Sequence, residues 1–242
     1  MEVEGCPLPD DRLYDLENEL WVRFEPGEQV ATVGILAPFA SFIGKVQRVE
    51  YRATSGPVDR GRGVAIVEST RYTGAVRMPV DGRILEVNPL LADRPKWVND
   101  DPYGRGWVFR AAANGPVVPG TGGLENASAI AGRLAERIRA RHVRCWAAAP
   151  DLELIEVGAE CSAILARLDE EIARRAPDDV LLLVTDDPTS PIELVRWSDR
   201  TGESVIDHRT EGALHQFLIR KEANPQPRLR GVDGRRPAAG ER

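Results

Sequence analysis

Gly61 to Asn88 reads GRGVAIVESTRYTGAVRMPVDGRILEVN, and its pattern decides the fold of the first half of the chain. Val64-Ala65-Ile66-Val67 is an apolar run. Ala75-Val76-Arg77-Met78-Pro79-Val80 is a second one. Between them Glu68 to Gly74 is polar and ends in glycine, the composition of a hairpin turn. The stretch therefore predicts two antiparallel strands with an exposed tip at Glu68-Ser69-Thr70-Arg71-Tyr72-Thr73-Gly74, followed by a further strand at Arg83 to Val87.

Upstream, Leu20-Trp21-Val22-Arg23-Phe24 and Gln29 to Ile35 read as strands with Pro26-Gly27 as the turn between them. Pro38 to Ile43 predicts a short helix with proline in its first turn and Gly44 as its stop. Lys45 to Tyr51 alternates like a half-buried strand, and Thr54 to Arg62 reads as a Gly/Pro loop. Downstream, Asp101-Pro102 and Gly104 predict a tight turn, with Trp107-Val108-Phe109 returning as a buried strand. Many short strands and one small helix predict a barrel-like sandwich of two sheets.

These residues also carry a resemblance. Glu68, Ser69, Pro79, Val80 and Gly82 match the hairpin pattern of the glycine cleavage H protein, a relative of lipoyl domains. Leu13-Tyr14, Glu19 to Arg23 and Ala31 to Ile35 resemble that family's opening strands. Trp97-Val98-Asn99-Asp100-Asp101-Pro102-Tyr103-Gly104-Arg105-Gly106-Trp107 is very close to its L-V-N-x-D-P-Y-G-x-G-W motif. The resemblance implies a lipoyl-bearing lysine at the hairpin tip, but that position is Arg71. A guanidinium stays protonated and delocalised, so it cannot attack an activated acyl group as an amine does. The family's acidic residue after its lysine is also replaced, by Ala75 in that stretch. Arg71 reads as a solvated turn residue, and the expected cofactor is none.

The second half reads differently. Leu152 to Val157 is a strand, Gly158-Ala159-Glu160 a turn, and Cys161 opens a helix with Leu165, Leu168 and Ile172 on one face. Val180 to Val184 is fully apolar, and Asp186-Asp187-Pro188 turns. Ser190-Pro191-Ile192-Glu193 reads as a capping box. That helix stops at Gly202, which is expected to be left-handed. Ser204 to His208 and Gln216 to Arg220 close the domain. The order β-α-β-α-β-β predicts a two-layer α/β sandwich.

Residues 156–221 resemble the TusA family of sulfur carriers. Gly158 and Cys161 keep the spacing of its G-x-x-C-P-x-P motif, although Ser162-Ala163-Ile164 lacks both prolines. Asp186-Asp187-Pro188 and Phe217-Leu218-Ile219-Arg220-Lys221 match its turn and its end. The resemblance implies that Cys161 carries sulfur. A thiol at a helix N-terminus gains thiolate character from the unpaired N–H groups, while Glu156 and Glu160 oppose that.

The expected organisation is an H-protein-like all-β barrel-sandwich hybrid at 1–112 and a linker with a connecting helix at 113–150. A TusA-like domain follows at 151–222, then a disordered tail at 223–242. In the connector, Leu124 to Val143 predicts the helix, from Ile130, Leu134 and Ile138 at four-residue spacing. Cys6 lies in a C-P-x-P stretch that reads as an N-terminal arm without a helix after it. His142 and Cys145 stand three apart, short of the ligand count of a zinc site. Three cysteines are too few and too scattered for a disulfide framework.

With 32 basic and 38 acidic residues the net charge is −6, which gives no footprint for nucleic acid. No apolar run is long enough for a membrane span, and the acidic first ten residues lack a signal core. The cytoplasm is the expected compartment.

Together these features predict a carrier or adaptor rather than an enzyme. Cys161 would relay sulfur, and the first domain would dock on enzymes of sulfur or lipoate-linked metabolism. A purely structural adaptor and a lipoylated glycine cleavage H protein are the alternatives.

Overall fold

The computed structural model describes residues 1–227. They form two compact units that divide between Ala149 and Pro150. Residues 228–242, most of the expected tail, lie outside the described part.

In the first unit, β1 (Glu2–Val3) and β2 (Cys6–Pro7) pair as a short ribbon. A meander follows: β3 (Leu13–Asp15), β4 (Leu20–Phe24) and β5 (Val30–Ile35). Then come α1 (Ala37–Ile43), β6 (Val46–Tyr51) and β7 (Gly56–Val58). The hairpin is β8 (Gly63–Ser69) and β9 (Thr73–Arg77), and β10 (Gly82–Val87) follows it. Two single turns, α2 (Leu90–Asp93) and α3 (Trp97–Asp100), lead into β11 (Trp107–Ala113). β12 (Leu124–Asn126) and α4 (Ala127–Ala140) end the regular structure of this unit.

One sheet has the order β12-β3-β4-β5-β11-β10-β7 and the other the order β6-β8-β9. Leu20, Val22, Val33 and Ile35 of the first share one core with Val46, Val49, Val64, Val67 and Val76 of the second. This is the expected two-sheet sandwich, built on the period-2 alternation of those strands.

Several local expectations are corrected. The hairpin turn is tighter than Glu68 to Gly74, because Glu68 still pairs with Thr73. Pro79-Val80 lies outside the strand, which ends at Arg77. The Thr54 to Arg62 loop holds β7, an edge strand in which Pro57 is tolerated because β7 has a neighbour only on one side. The connector helix starts three residues later than Leu124, since Leu124–Asn126 pairs with β3 instead.

α4 buries Ile130, Leu134 and Ile138 against Val3, Cys6, Leu8, Tyr14, Leu16 and Trp21. The N-terminal arm is therefore an integral part of the core: Cys6 and Leu8 are 0% exposed. Cys6 and Cys145 are joined by a disulfide with a sequence separation of 139. One pair therefore bonds where the number and scatter of the cysteines pointed to no disulfide framework. Packing of β2 beside the end of α4 brings two residues together that no sequence spacing relates.

The second unit runs β13 (Leu152–Glu156), α5 (Cys161–Ala173), β14 (Val180–Thr185), α6 (Ser190–Thr201), β15 (Ser204–Glu211) and β16 (Leu214–Arg220). The sheet order is β13-β14-β16-β15, with β13 parallel to β14 and the other pairs antiparallel. Ile164, Leu168 and Ile172 of α5 and Leu194 and Trp197 of α6 pack on Leu154, Leu181, Leu183, Phe217 and Ile219. The buried α5 stripe thus starts at Ile164, one residue earlier than expected, with Leu165 at its margin. The two closing strands are longer than expected and meet in a two-residue turn.

The capping box at Ser190 does not form. Thr189 is the N-cap residue, and the buried Ser190 hydroxyl has no hydrogen-bond partner. Asp187 instead holds the N-cap residue itself and not the helix N–H groups. Its Oδ1 accepts from the Thr189 N–H and the Thr189 hydroxyl, both at 2.7 Å.

Gly202 ends α6 at φ 79°, as expected of a left-handed C′ glycine. A Cβ there would also collide with the backbone of Gln226, so the first residues after β16 pack back on this turn. Gly202→Val is therefore expected to destabilise the second unit by at least ~1 kcal/mol. Denaturant-dependent hydrogen exchange of the Val180–Leu183 amides in the full chain measures this. Unchanged exchange would refute it.

Candidate functional sites

Two places concentrate chemistry. The first is the hairpin tip, whose position follows from one side chain. Asn99, on α3, accepts from the Val46 N–H through Oδ1 at 2.8 Å. Its amide nitrogen donates to the Ala40 and Gly44 carbonyls at 2.8 and 2.9 Å. Asn99 thereby caps the C-terminal end of α1 and starts β6 at once. The tip is then tied to that end. Ser69 Oγ donates to the Ile43 carbonyl at 2.8 Å, and the Thr70 N–H donates to the Lys45 carbonyl at 3.2 Å. Gly44, at φ 77°, leaves room for this approach, because a Cβ there would lie 2.6 Å from Thr70 Oγ1. Arg71 is exposed at the tip, and Tyr72 stands edge-on to Phe39 at 5.2 Å.

The rest of the Trp97 to Trp107 segment locks the same corner. Trp21 Nε1 donates to the Pro102 carbonyl at 2.9 Å, and the Tyr103 hydroxyl donates to the Pro7 carbonyl at 2.9 Å. Asn88 is fully buried, and its amide nitrogen donates to the Arg105 and Trp107 carbonyls. Each polar side chain buried here answers backbone groups that the irregular turns leave unpaired.

The second place is Cys161, the first residue of α5. With Cys6 and Cys145 bonded to each other, it is the free cysteine of the chain. It lies where the carboxyl ends of the parallel strands β13 and β14 meet the starts of α5 and α6, the usual ligand position in such sheets. Asp186 accepts from the Gly158 N–H at 2.7 Å, which ties the turn before α5 to the turn before α6. The thiol is partly exposed, and its pKa is raised. Burial is the main cause, the Asp187 and Glu193 carboxylates add to it, and the Thr189 hydroxyl opposes it.

The expected thiolate character is therefore absent. The carboxylates responsible are also different from those expected: Glu156 is paired with Arg167 at 3.2 Å. Burial leads, and the Asp187 carboxylate, whose own pKa is lowered chiefly by its Thr189 bonds, adds to it from the turn before α6. Both act against the pull of the helix N-terminus.

With this geometry in hand, known proteins were compared. The model of the glycine cleavage H-protein family matches residues 12–118. The "Glycine cleavage system H protein 5" of Aquifex aeolicus is 37% identical over 119 residues, covering 48% of this chain and 79% of that protein. A probable glycine cleavage system H protein 2 of Sulfurisphaera tokodaii is 34% identical over 145 residues, covering 59% of this chain and 96% of that protein. The chain belongs to the glycine cleavage H-protein family.

A crystal structure of a glycine cleavage system H protein from Mycobacterium marinum aligns at 28% identity with a TM-score of 0.46. It covers 52% of this chain and 98% of that one. Members of the H-protein family are carriers, not enzymes, and the matched residues 12–118 include the hairpin with Arg71 at its tip.

Sequence reasoning found Cys161, Arg71 and the Asn99 motif. It missed the buried Asn88 and the Asp187 bonds to Thr189. The D-D-P turn was visible, but nothing local showed that its second carboxylate acts on the Cys161 thiol.

Two outcomes are expected from these sites. Asn99→Ala leaves one N–H and two carbonyls without their partner and should cost roughly 2–3 kcal/mol. The loss should be read as a lower urea midpoint of the first unit, with the Ser69–Tyr72 amides exchanging fastest. An unchanged midpoint would contradict the hub. For Cys161, the alkylation rate should still be climbing at a pH where an unstructured cysteine peptide has levelled off. Glu193→Gln should move the Cys161 profile to lower pH, and an unmoved profile would exclude that carboxylate as a cause.

Proposed function

We propose that this chain is an H-protein-family carrier or adaptor that does not bear lipoate. In this reading its second unit relays sulfur on Cys161, and its first unit docks on enzymes that handle lipoate or sulfur. The observation that carries the sulfur reading is the position of Cys161. It opens a helix at the carboxyl ends of two parallel strands, beside the Asp186-Asp187-Pro188 turn. The order β-α-β-α-β-β, the Gly158-to-Cys161 spacing and the Phe217 to Lys221 ending support a TusA-like assignment of residues 151–222. Domains at 1–112 and 151–222, with 113–150 between them, are part of the same reading.

The chemistry is a sulfur exchange without net oxidation. The Cys161 sulfur attacks the terminal sulfur of a donor persulfide. The donor S–S bond breaks, the donor sulfur leaves as a thiol carrying the proton from Cys161, and Cys161 becomes the persulfide. A raised thiol pKa makes the attacking form scarce in the free protein, so the docked donor has to supply positive charge near Asp187 and Glu193. That same raised pKa favours the second reading, a structural adaptor without covalent chemistry.

Family membership favours the third reading, a lipoyl carrier of the glycine cleavage system, and Arg71 opposes it because its guanidinium is not acylated. Absence of an amine at the tip supports no covalent cofactor in the first unit.

No helix among the described residues is long and apolar enough to cross a membrane, and the net charge of −6 gives no attraction for nucleic acid. We place the chain in the cytoplasm. The Cys6–Cys145 bond, uncommon there, is compatible with that compartment because Cys6 is fully buried from reductants.

Intact mass after two incubations tests the three readings. A lipoate-attaching enzyme with lipoate should add no mass, and a lipoyl adduct on the hairpin would establish the third reading. A cysteine desulfurase with cysteine should add one sulfur to the wild-type chain and none to Cys161→Ser. A wild-type chain that takes no sulfur leaves the structural adaptor.

A further inference from the structure

Cys6 lies on β2, a strand of two residues, and Cys145 lies past the end of α4. No helix or strand is formed between Ala140 and Leu152. Arg141 to Ala149 therefore has no ladder of backbone bonds, and separate ties hold it. The Val143 N–H donates to the Ile138 carbonyl at 3.0 Å, and the Val143 side chain is buried beside α4. The Ala149 N–H donates to Asp100 Oδ1 at 2.9 Å. Between these two anchors stands the disulfide, a covalent tie from the connector to the N-terminal arm.

Both flanks of the bond are fastened to the same corner. The Pro7 carbonyl, next to Cys6, accepts from the Tyr103 hydroxyl at 2.9 Å. Asp100, which holds Ala149, belongs to the same Trp97 to Trp107 segment. The bond thus closes a clasp over that corner.

The rest of the fold does not need the clasp shut. The sandwich core contains neither cysteine. Cys6 sits among Val3, Leu8, Tyr14, Leu16 and Trp21, where a free thiol packs as a small apolar side chain. Ser41 Oγ donates to Cys145 Sγ at 3.6 Å, and it remains a partner for a freed thiol. Opening the bond leaves no cavity and removes only the tie between arm and connector. Access is also one-sided. Cys6 is 0% exposed and Cys145 is 7% exposed, so a reductant meets the bond at Cys145, through local opening of a stretch without regular structure.

We propose that the Cys6–Cys145 pair is a redox switch on the connector. As a disulfide it pins Arg141 to Ala149 to the first unit. As two thiols it releases those residues as a tether for the second unit, nine residues long and able to span about 30 Å when extended. The reductant is a dithiol. Its thiolate attacks the Cys145 sulfur, the Cys145–Cys6 bond breaks, and Cys6 leaves and takes up a proton. The second thiol of the reductant then displaces Cys145, which is protonated in turn, and the dithiol ends as a disulfide. Two electrons and two protons pass to the pair. The switch is independent of any chemistry at Cys161.

The test compares the full chain before and after dithiothreitol, without denaturant. Alkylation and intact mass should count one free thiol before, that of Cys161, and three after. Backbone amides of Arg144, Cys145 and Ala149 should exchange roughly tenfold faster or more in the reduced chain, as a local opening made easier. Amide shifts of β4 and β5 should stay in place, and so should the exchange of Leu181 and Leu183. Oxidised glutathione should restore one thiol and the slow exchange. Cys145→Ser should show the fast exchange with no reductant present, and Cys6→Ala, apolar at the buried position, should do the same. The proposal is overturned if the bond opens only in denaturant, or if connector exchange is the same in both states. It is overturned equally if reduction, or both substitutions, unfold the first unit, since the bond is then a staple.

Discussion

The first unit depends on how the carboxamide of Asn99 is spent. Three backbone groups at the junction of α1 and β6 have no partner in regular structure, and Asn99 answers all three. Without it the end of α1 would face the interior with bare carbonyls, the origin of the roughly 2–3 kcal/mol expected from its loss. Because the hairpin tip is bonded to that same end, the placement of Arg71 is inherited from Asn99 and not set by the hairpin itself. A strand pair alone fixes register; it does not fix where its tip points.

This explains which parts of the fold were legible in the sequence. The sandwich was, because alternation in β4, β5, β6 and β8 states which residues face inward. So was the Trp97 to Trp107 corner, where asparagine, proline and glycine stand at fixed offsets for backbone reasons. The helix of the second unit was legible only to within one residue, since Leu165 and Ile164 are equally apolar and packing on Leu154 and Leu183 chose between them. The capping box failed for a similar reason. Ser190 and Glu193 have the right spacing, but Thr189 is the N-cap residue, so the Ser190 N–H goes to the Asp187 carbonyl and the Glu193 N–H to the Thr189 carbonyl. The pairing of β1 with β2 and the disulfide left no local trace, because both depend on α4 folding across the N-terminal arm. Nor did periodicity reveal the single-turn helices α2 and α3, which are too short to show it.

The two candidate sites illustrate opposite uses of a helix terminus. At the start of α5 burial, with Asp187 and Glu193 nearby, raises the pKa of the thiol that begins the helix, against the pull of the helix terminus. At the negative end of α4 the C-cap Arg141 lies across a small cleft from Arg71 of the hairpin. In both places the charge that matters was contributed by a different segment from the helix. Helix position alone therefore gave the right residues with the wrong electrostatics.

The Cys6–Cys145 bond closes almost the whole first unit into a covalent ring. Every residue of the sandwich, the hairpin and α4 lies inside that ring, while the second unit hangs outside it. A single backbone cut anywhere between the two cysteines, for instance in the glycine-rich stretch from Gly115 to Gly123, opens the ring without producing two molecules. The pieces remain one covalent object and keep their mutual concentration, so a nicked first unit can close up again on its own core.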